Sequence, residues 1–306
     1  MNQRNVIKIA LENGKEEEEG LIWDTYIIDD SVVQVPREGD VWRIERVRTT
    51  YNILNDNIPV PKINSIEIEG KYKGVVFEKI HGDILREVSE SSDDDSKEIN
   101  ESTEQRQSYL DLIEETGRAL AKIHKSKPEF DGFGYFTIEE DSVVCPHEEW
   151  IDYVEDKLDD LDDLPDRFEE AYQIAINNFD IQKIPEEPER SLLHDDFHSG
   201  NIIVEKNGSI SVIDFDNAII GDPDFGYVNS KFEMCGYDDK EALKKFQEGY
   251  EEIREVNISE KAESNYVALA ILDSISAGKW LIENRDVDFL DDYTEELNNW
   301  ATSYFG

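Results

Sequence analysis

Of 306 residues, 73 are Asp or Glu and 31 are Lys or Arg, a formal net charge of −42. A surface of that sign repels nucleic-acid phosphates and anionic membranes, so neither is an expected partner. The apolar stretch Val267 to Leu272 is far short of the roughly 18 residues a membrane span needs. No leader is visible in Met1 to Ala10, and Cys145 and Cys235 form no CxxC pair, so a cytoplasmic chain without disulfide framework or zinc site is expected.

In chain order, Tyr26–Ile28 and Val32–Val35 are β-branched runs separated by the turn-forming trio Asp29-Asp30-Ser31, with Pro36 ending the second. Val41 to Leu54 carries Val41, Ile44, Val47, Tyr51 and Leu54 at spacings of three and four, which predicts a helix. Ile63–Ile68 and Tyr72–Ile80 are strand candidates around a hairpin at Glu69-Gly70-Lys71. Residues 1–80 therefore read as a small sheet-rich lobe with one helix, and 81–306 as a larger, mostly helical lobe. Within the latter, Ser89 to Arg106 is polar with Ile99 as its one clear apolar residue, a flexible acidic insertion or an exposed charged helix. Leu110, Ile113, Leu120 and Ile123 mark a helix face ending at His124, and Glu149 to Ile176 reads as a second helical region. The acidic run Asp159 to Asp163 reads as a solvated helix face. Lys240–Val256, Ala262–Ile282 and Phe289–Tyr304 complete the predicted helices.

The chemistry concentrates in residues 191–224, SLLHDDFHSGNIIVEKNGSISVIDFDNAIIGDPD. Asn201–Val204 and Ser209–Ile213 are short β runs joined by Lys206-Asn207-Gly208, and Asn-Gly is a strong signal for a tight type I′ hairpin. Folding back there brings Asn201 and Asp214 to one end of the hairpin, with Asp196 on the loop before it. Mg²⁺ takes carboxylate and amide oxygens together with substrate phosphates, which suits Asn201 and Asp214. Asp196 is then placed to accept the proton of an attacking hydroxyl, as a catalytic-loop Asp does in kinases.

His194, Asp196, His198 and Asn201, followed by Asp214-Phe215-Asp216 and Gly221-Asp222-Pro223, resemble the aminoglycoside phosphotransferase and choline kinase-like family of small-molecule kinases. The resemblance implies an α+β, two-lobed protein-kinase-like fold. It also implies Mg²⁺-dependent transfer of the γ-phosphoryl of ATP or GTP to a hydroxyl of a small molecule. Val33 to Arg37 resembles the strand that presents a phosphate-contacting base, which puts Gln34 at that position. Arg43-Ile44-Glu45 is similar to the helix segment whose Glu pairs with the base. Val76 to Gly82 resembles the inter-lobe hinge, where Phe77, Glu78 and Ile80 would border a purine. Leu120 to His124 is similar to the family's "LA-x-LH" helix end. The similarity runs over residues 15–230.

Several positions depart from the family pattern. Gln34 brings no charge to phosphate; either Arg37 substitutes for the missing base or the register is shifted. Asp195 stands where Gly is usual, and Gly226 where a further Asp is common. No glycine-rich phosphate loop is present, only Gly14 and Gly20 around Lys15 and Glu16 to Glu19. His194 reads as a brace, His198 as a brace or a substrate contact, and Asp222 as an anchor for the loop after Asp214. His81, His124 and His147 read as structural or exposed. The alternative to an active kinase is a catalytically weak kinase-fold binding or regulatory protein, which Gln34 favours and the intact Asp196, Asn201 and Asp214 set opposes. Oligomeric state is left open. The overall charge has two readings, adaptation to a salt-rich cytoplasm, where screening removes self-repulsion, or solvated carboxylate faces in ordinary buffer.

Overall fold

The hairpin around Asp29 and Asp30 organises the N-terminal part of the chain. The structure, a computed structural model, describes residues 4–13, 15–19, 23–37, 42–54, 57–67, 73–90, 99–139, 142–284 and 290–306. Helix α1 (Arg4–Asn13) precedes strands β1 (Lys15–Glu19), β2 (Trp23–Ile28) and β3 (Ser31–Pro36); α2 (Trp42–Ile53), β4 (Ile63–Glu67) and β5 (Gly74–Glu78) follow. The strands form one antiparallel sheet in the order β1-β2-β3-β5-β4. Side chains alternate across a strand, so Val33 and Val76 pack on Ile7 and Ala10 of α1, while Trp23, Val75 and Phe77 pack on Ile44 and Val47 of α2. Helix α1 is absent from the sequence reading, although Ile7 and Ala10, both buried, stand three apart. Gly14, Gly20 and the Glu69-Gly70-Lys71 hairpin lie outside the described residues, and Glu16 to Glu19 belong to the edge strand β1 rather than to a loop.

The remainder is mostly helical. Strand β6 (Gly82–Ile84), α3 (Leu85–Glu90) and α4 (Ile99–His124) lead to β7 (Thr137–Glu139), β8 (Ser142–Val144), α5 (Trp150–Asp159) and α6 (Glu169–Asn178). Strands β9 (Ser191–Leu193), β10 (Ile202–Glu205), β11 (Ile210–Val212) and β12 (Ile219–Gly221) follow, then helices α7 (Pro223–Cys235), α8 (Lys240–Glu251), α9 (Glu260–Asn284) and α10 (Leu290–Phe305). A β-rich N-terminal part and a helical C-terminal part are thus the observed architecture, as expected. The apolar stretch Val267 to Leu272 is buried on every side within α9, which is why its sequence lacks a polar face. No helix among the described residues is long and apolar enough to cross a membrane.

Some elements differ from the sequence reading. Residues 99–106 of the expected insertion are the first turns of α4, anchored where Arg106 donates to Asp239 at 2.6 Å; residues 91–98 lie outside the described residues. The region 149–176 is two helices, because Leu164 precedes a proline and is pushed out of helical backbone. Of the run Asp159 to Asp163, Asp159 ends α5 and Asp160 to Asp163 form the turn after it rather than a helix face, and Lys279 Nζ donates to the Asp160 carbonyl there at 3.0 Å. Helix α7 carries the start signal Asp-Pro, with Asp222 capping the Asp224 N–H and Pro223 in the first turn.

Candidate active site

Three backbone devices bring the block at 191–216 together. Strand β9 pairs with β12 (Leu193↔Ile219), delivering His194 into the core. Strands β10 and β11 pair with Ile202 opposite Val212, and the Ile213 N–H donates to the Asn201 carbonyl at 3.0 Å. Asp214 consequently follows at the end of the hairpin where Asn201 begins it. The turn is not the expected type I′: only Gly208 has positive φ (85°), and Gly208 N–H donates to the Glu205 carbonyl. That is a three-residue loop closed by a left-handed glycine. Its strands still bring Asn201 and Asp214 to the same end.

His194 Nε2 donates to the Ile213 carbonyl at 2.9 Å, and its ring lies 4.4 Å from that of Phe215. Burial pushes its pKa down to about 4, so it is a neutral brace between catalytic loop and hairpin. Asp196 accepts from Asn201 Nδ2 at 3.2 Å, and the same amide donates to the Asp196 carbonyl at 2.9 Å. Gly200 N–H donates to His198 Nδ1 at 3.0 Å, which leaves the proton on Nε2, 3.4 Å from Asp196 Oδ1. Burial works to raise the Asp196 pKa, but His198 and Asn201 together hold it below the ordinary carboxylate value. His198 thus braces the carboxylate.

Asp195 and Asp214 both adopt left-handed backbone, at φ 61° and 63°. Asp195 accepts from the Tyr135 hydroxyl at 3.3 Å. Asp214 opens to the cleft, yet the surrounding protein and then the Asp196 charge push its pKa up to about 6. Asp216 is buried and accepts from Trp23 Nε1. Burial and Asp214 push it up to about 8, against the pull of Arg43 and Arg46.

The donor set suits a hard divalent cation. Asn201 Nδ2 is spent on Asp196, so the amide oxygen is the end left for a ligand, and Asp214 adds a carboxylate whose charged form is disfavoured by the surrounding protein and by Asp196. Among the described residues no group of three or more His, Cys, Asp and Glu has metal-site geometry. One carboxylate and one amide match an ion that keeps waters and takes substrate phosphates, as Mg²⁺ does.

Toward the N-terminal sheet, the Phe77 ring packs at a tilt 5.6 Å from that of Tyr51, which lies 6.0 Å from Phe215. Glu78 N–H and carboxylate are engaged with the Lys62 backbone, and Lys79 N–H donates to the Asp30 carbonyl at 2.9 Å. Ile80 follows, half-buried, just before β6, which pairs with β10 (Glu205↔Gly82). The expected hinge is thereby hydrogen-bonded to the β10–β11 hairpin. Gly82 is required there, since a Cβ would lie 2.2 Å from the Val204 carbonyl oxygen.

Gln34 stands opposite Val75 and Thr25, on the α2 side of the sheet. Arg37 is paired with Asp24 at 3.2 Å. Glu45 binds Arg48 of its own helix at 2.9 Å and makes no ion pair with β3. As site residues, sequence reasoning missed Trp23 of β2, Arg46 and Tyr51 of α2, and Tyr135 of the loop before β7. It also missed Glu233 of α7 and Asp273 of α9, the latter paired with Lys157 at 2.7 Å. Glu233 is open to solvent but walled by protein, which pushes its pKa up to about 7; Asp196 adds to that and His198 opposes it. No spacing in the chain announces these convergences.

No curated protein sequence matches the chain. Among solved structures, aminoglycoside phosphotransferase APH(4)-Ia superposes with a TM-score of 0.69 at 15% identity, covering 99% of this chain and 98% of that one. A thermostable mutant of that enzyme, in ternary complex with AMP-PNP and hygromycin B, gives 0.68 at 16%, covering 99% of each. The GDP complex of aminoglycoside 2′-phosphotransferase-IIIa gives 0.67 at 15%, with 100% of both chains covered. These likenesses establish the kinase-like fold. A sequence profile described as the phosphotransferase enzyme family matches residues 17–256, which include the whole 194–216 block, and the chain belongs to that family.

Proposed function

We propose that this phosphotransferase moves the γ-phosphoryl of ATP or GTP to a hydroxyl of a small molecule, with Mg²⁺ held by Asn201 and Asp214 and Asp196 as the base. The carrying observation is the Asn201 amide, whose Nδ2 grips Asp196 at 2.9 and 3.2 Å, on a hairpin whose strands bring Asn201 and Asp214 to the same end. Asp196, kept ionised by His198, accepts the acceptor's hydroxyl proton. The hinge strip at Phe77, Glu78 and Ile80 borders the purine, and Phe77–Tyr51–Phe215 keeps that strip in contact with the metal loop. Bound Mg²⁺ would supply neutralisation of charge on the transferring phosphoryl. The walls contributed by Asp195, Glu233 and Asp273 would orient the acceptor. A donor nucleotide and a hydroxylated acceptor are supported by similar folds holding AMP-PNP with hygromycin B, and GDP.

The test is a mass-spectrometric phosphorylation screen in molar KCl against pooled hydroxylated amines, sugars and aminoglycosides. Asp196→Asn should lower kcat by about 10²–10⁴-fold with the nucleotide KM little changed. Turnover unaffected by that substitution would contradict the role of Asp196. A second reading, a catalytically weak regulatory protein, is favoured by uncharged Gln34 and by Glu45 being paired with Arg48. It predicts Mg²⁺-nucleotide binding with no phosphorylated product from any pool.

A further inference from the structure

The α2 face that meets the rest of the molecule is apolar at Ile44, Val47 and Tyr51, yet it buries Arg46, only 5% exposed. A buried guanidinium costs several kcal/mol unless it is paired, and an apolar residue would fill the space at less cost. Arg46 Nη2 donates to the Ala218 carbonyl at 2.5 Å. The guanidinium lies 4.7 Å from the Tyr135 ring centre and 5.5 Å from that of Phe136. Ala218 ends the segment that begins with Asp214, and Ala218 N–H closes that segment by donating to the Phe215 carbonyl. Trp23 of β2 holds the middle of the same segment through Asp216. Among the described residues, Glu45 makes no ion pair with β3, where Gln34 carries no charge, and Arg46 is the α2 side chain that hydrogen-bonds the 214–218 segment.

We infer that Arg46 is a positioning residue, tying helix α2 to the 214–218 segment and thereby setting the place of Asp214. This rests on the proposed role of Asp214 as a metal ligand. Arg46 also couples the two sides of the cleft, because Tyr135, on which it stacks, donates to Asp195 beside Asp196. A guanidinium can stack and hydrogen-bond at once, which a lysine ammonium does less well.

The test compares Arg46→Gln and Arg46→Lys with the wild-type full chain by amide hydrogen exchange, without nucleotide. Peptides spanning 214–218 should exchange about tenfold faster in the Gln variant, the size expected for losing a charged hydrogen bond. The Lys variant should recover part of that protection, and α4 and α9 should be unchanged in both. Unchanged exchange at 214–218 overturns the proposal. A uniform loss that includes α4 and α9 overturns it as well, making Arg46 a general core residue. Mn²⁺ titration, metal alone, separates the two levels of inference. Affinity should fall several-fold in the Gln variant with partial rescue by Lys. If wild type binds no Mn²⁺, the metal role of Asp214 fails, while the exchange data still judge the tether.

Discussion

Among the described residues, the non-glycine residues with left-handed backbone are Asp29, Asp163, Asp195 and Asp214, all aspartates. A short polar side chain tolerates that region better than most, at a cost of about 1–3 kcal/mol per strained residue. Two of these, Asp195 and Asp214, lie beside Asp196 and at the end of the β10–β11 hairpin. Asp222 shows a different residue-level compromise. It caps α7 through the Asp224 N–H and accepts from the Tyr266 hydroxyl, but burial pushes its pKa up to about 6 from an ordinary 3.8. A value raised on folding means that the folded state favours the protonated carboxyl. The associated stability is complete below about pH 4 and is lost as pH rises through about 6. Asp222→Asn keeps a capping oxygen and removes the ionisation, so its stability relative to wild type should improve from pH 4 to pH 7. Urea midpoints at both pH values check this, and an equal difference at each would refute it.

At the scale of elements, the α4–α8 crossing explains two glycines that helix propensity disfavours by about 1 kcal/mol each. A Cβ at Gly117 would lie 2.1 Å from the Phe246 carbonyl oxygen, and one at Gly249 would lie 1.9 Å from that of Glu114. Backbone cannot yield as a side-chain tip can, so Gly249→Ala should destabilise by about 1–3 kcal/mol despite its better helix propensity. A urea midpoint at or above wild type would show that the helices can move apart. Arg118 sits beside the crossing, bonded to Glu114, Glu115 and Glu252, and Lys245 joins Glu114 to Glu248. Helix α2 and the catalytic hairpin were legible because their periodicities are local. The break at Pro165 and the β7–β8 pair were not read, and α7 was missed although Asp222-Pro223 is a start signal.

For the whole molecule, 73 acidic against 31 basic residues leave most carboxylates without a cationic partner. Pairs such as Arg106–Asp239 and Lys231–Glu263 neutralise a minority. The remainder repel one another over distances that about 1 M salt shortens to roughly 3 Å. The melting temperature should therefore climb as KCl increases from about 0.1 M to about 2 M, followed by circular dichroism. A melting temperature indifferent to salt would remove self-repulsion as a term in stability. The same excess charge means that acidity alone does not identify an acceptor wall; what sets Glu233 and Asp273 apart is their placement, Glu233 near Asp196 and His198 and Asp273 near Asp195.

The amino-acid sequence by itself determined the family, the two-part architecture and the grouping of Asp196, Asn201 and Asp214. Those residues are close in the chain, and one short hairpin, whatever its turn type, brings them together. Only the tertiary structure decided what surrounds them. Trp23 reaches Asp216, Arg46 reaches Ala218, Tyr51 bridges Phe77 and Phe215, and Tyr135 reaches Asp195. Each joins elements far apart in the chain, so its partner depends on how sheet, helix and loop pack, and residue spacing carries no record of that. The same holds for Gln34 and Glu45. Their positions were readable, but the ion pair of Glu45 with Arg48 and the transfer of the α2 anchor to Arg46 emerge only once the helix is docked.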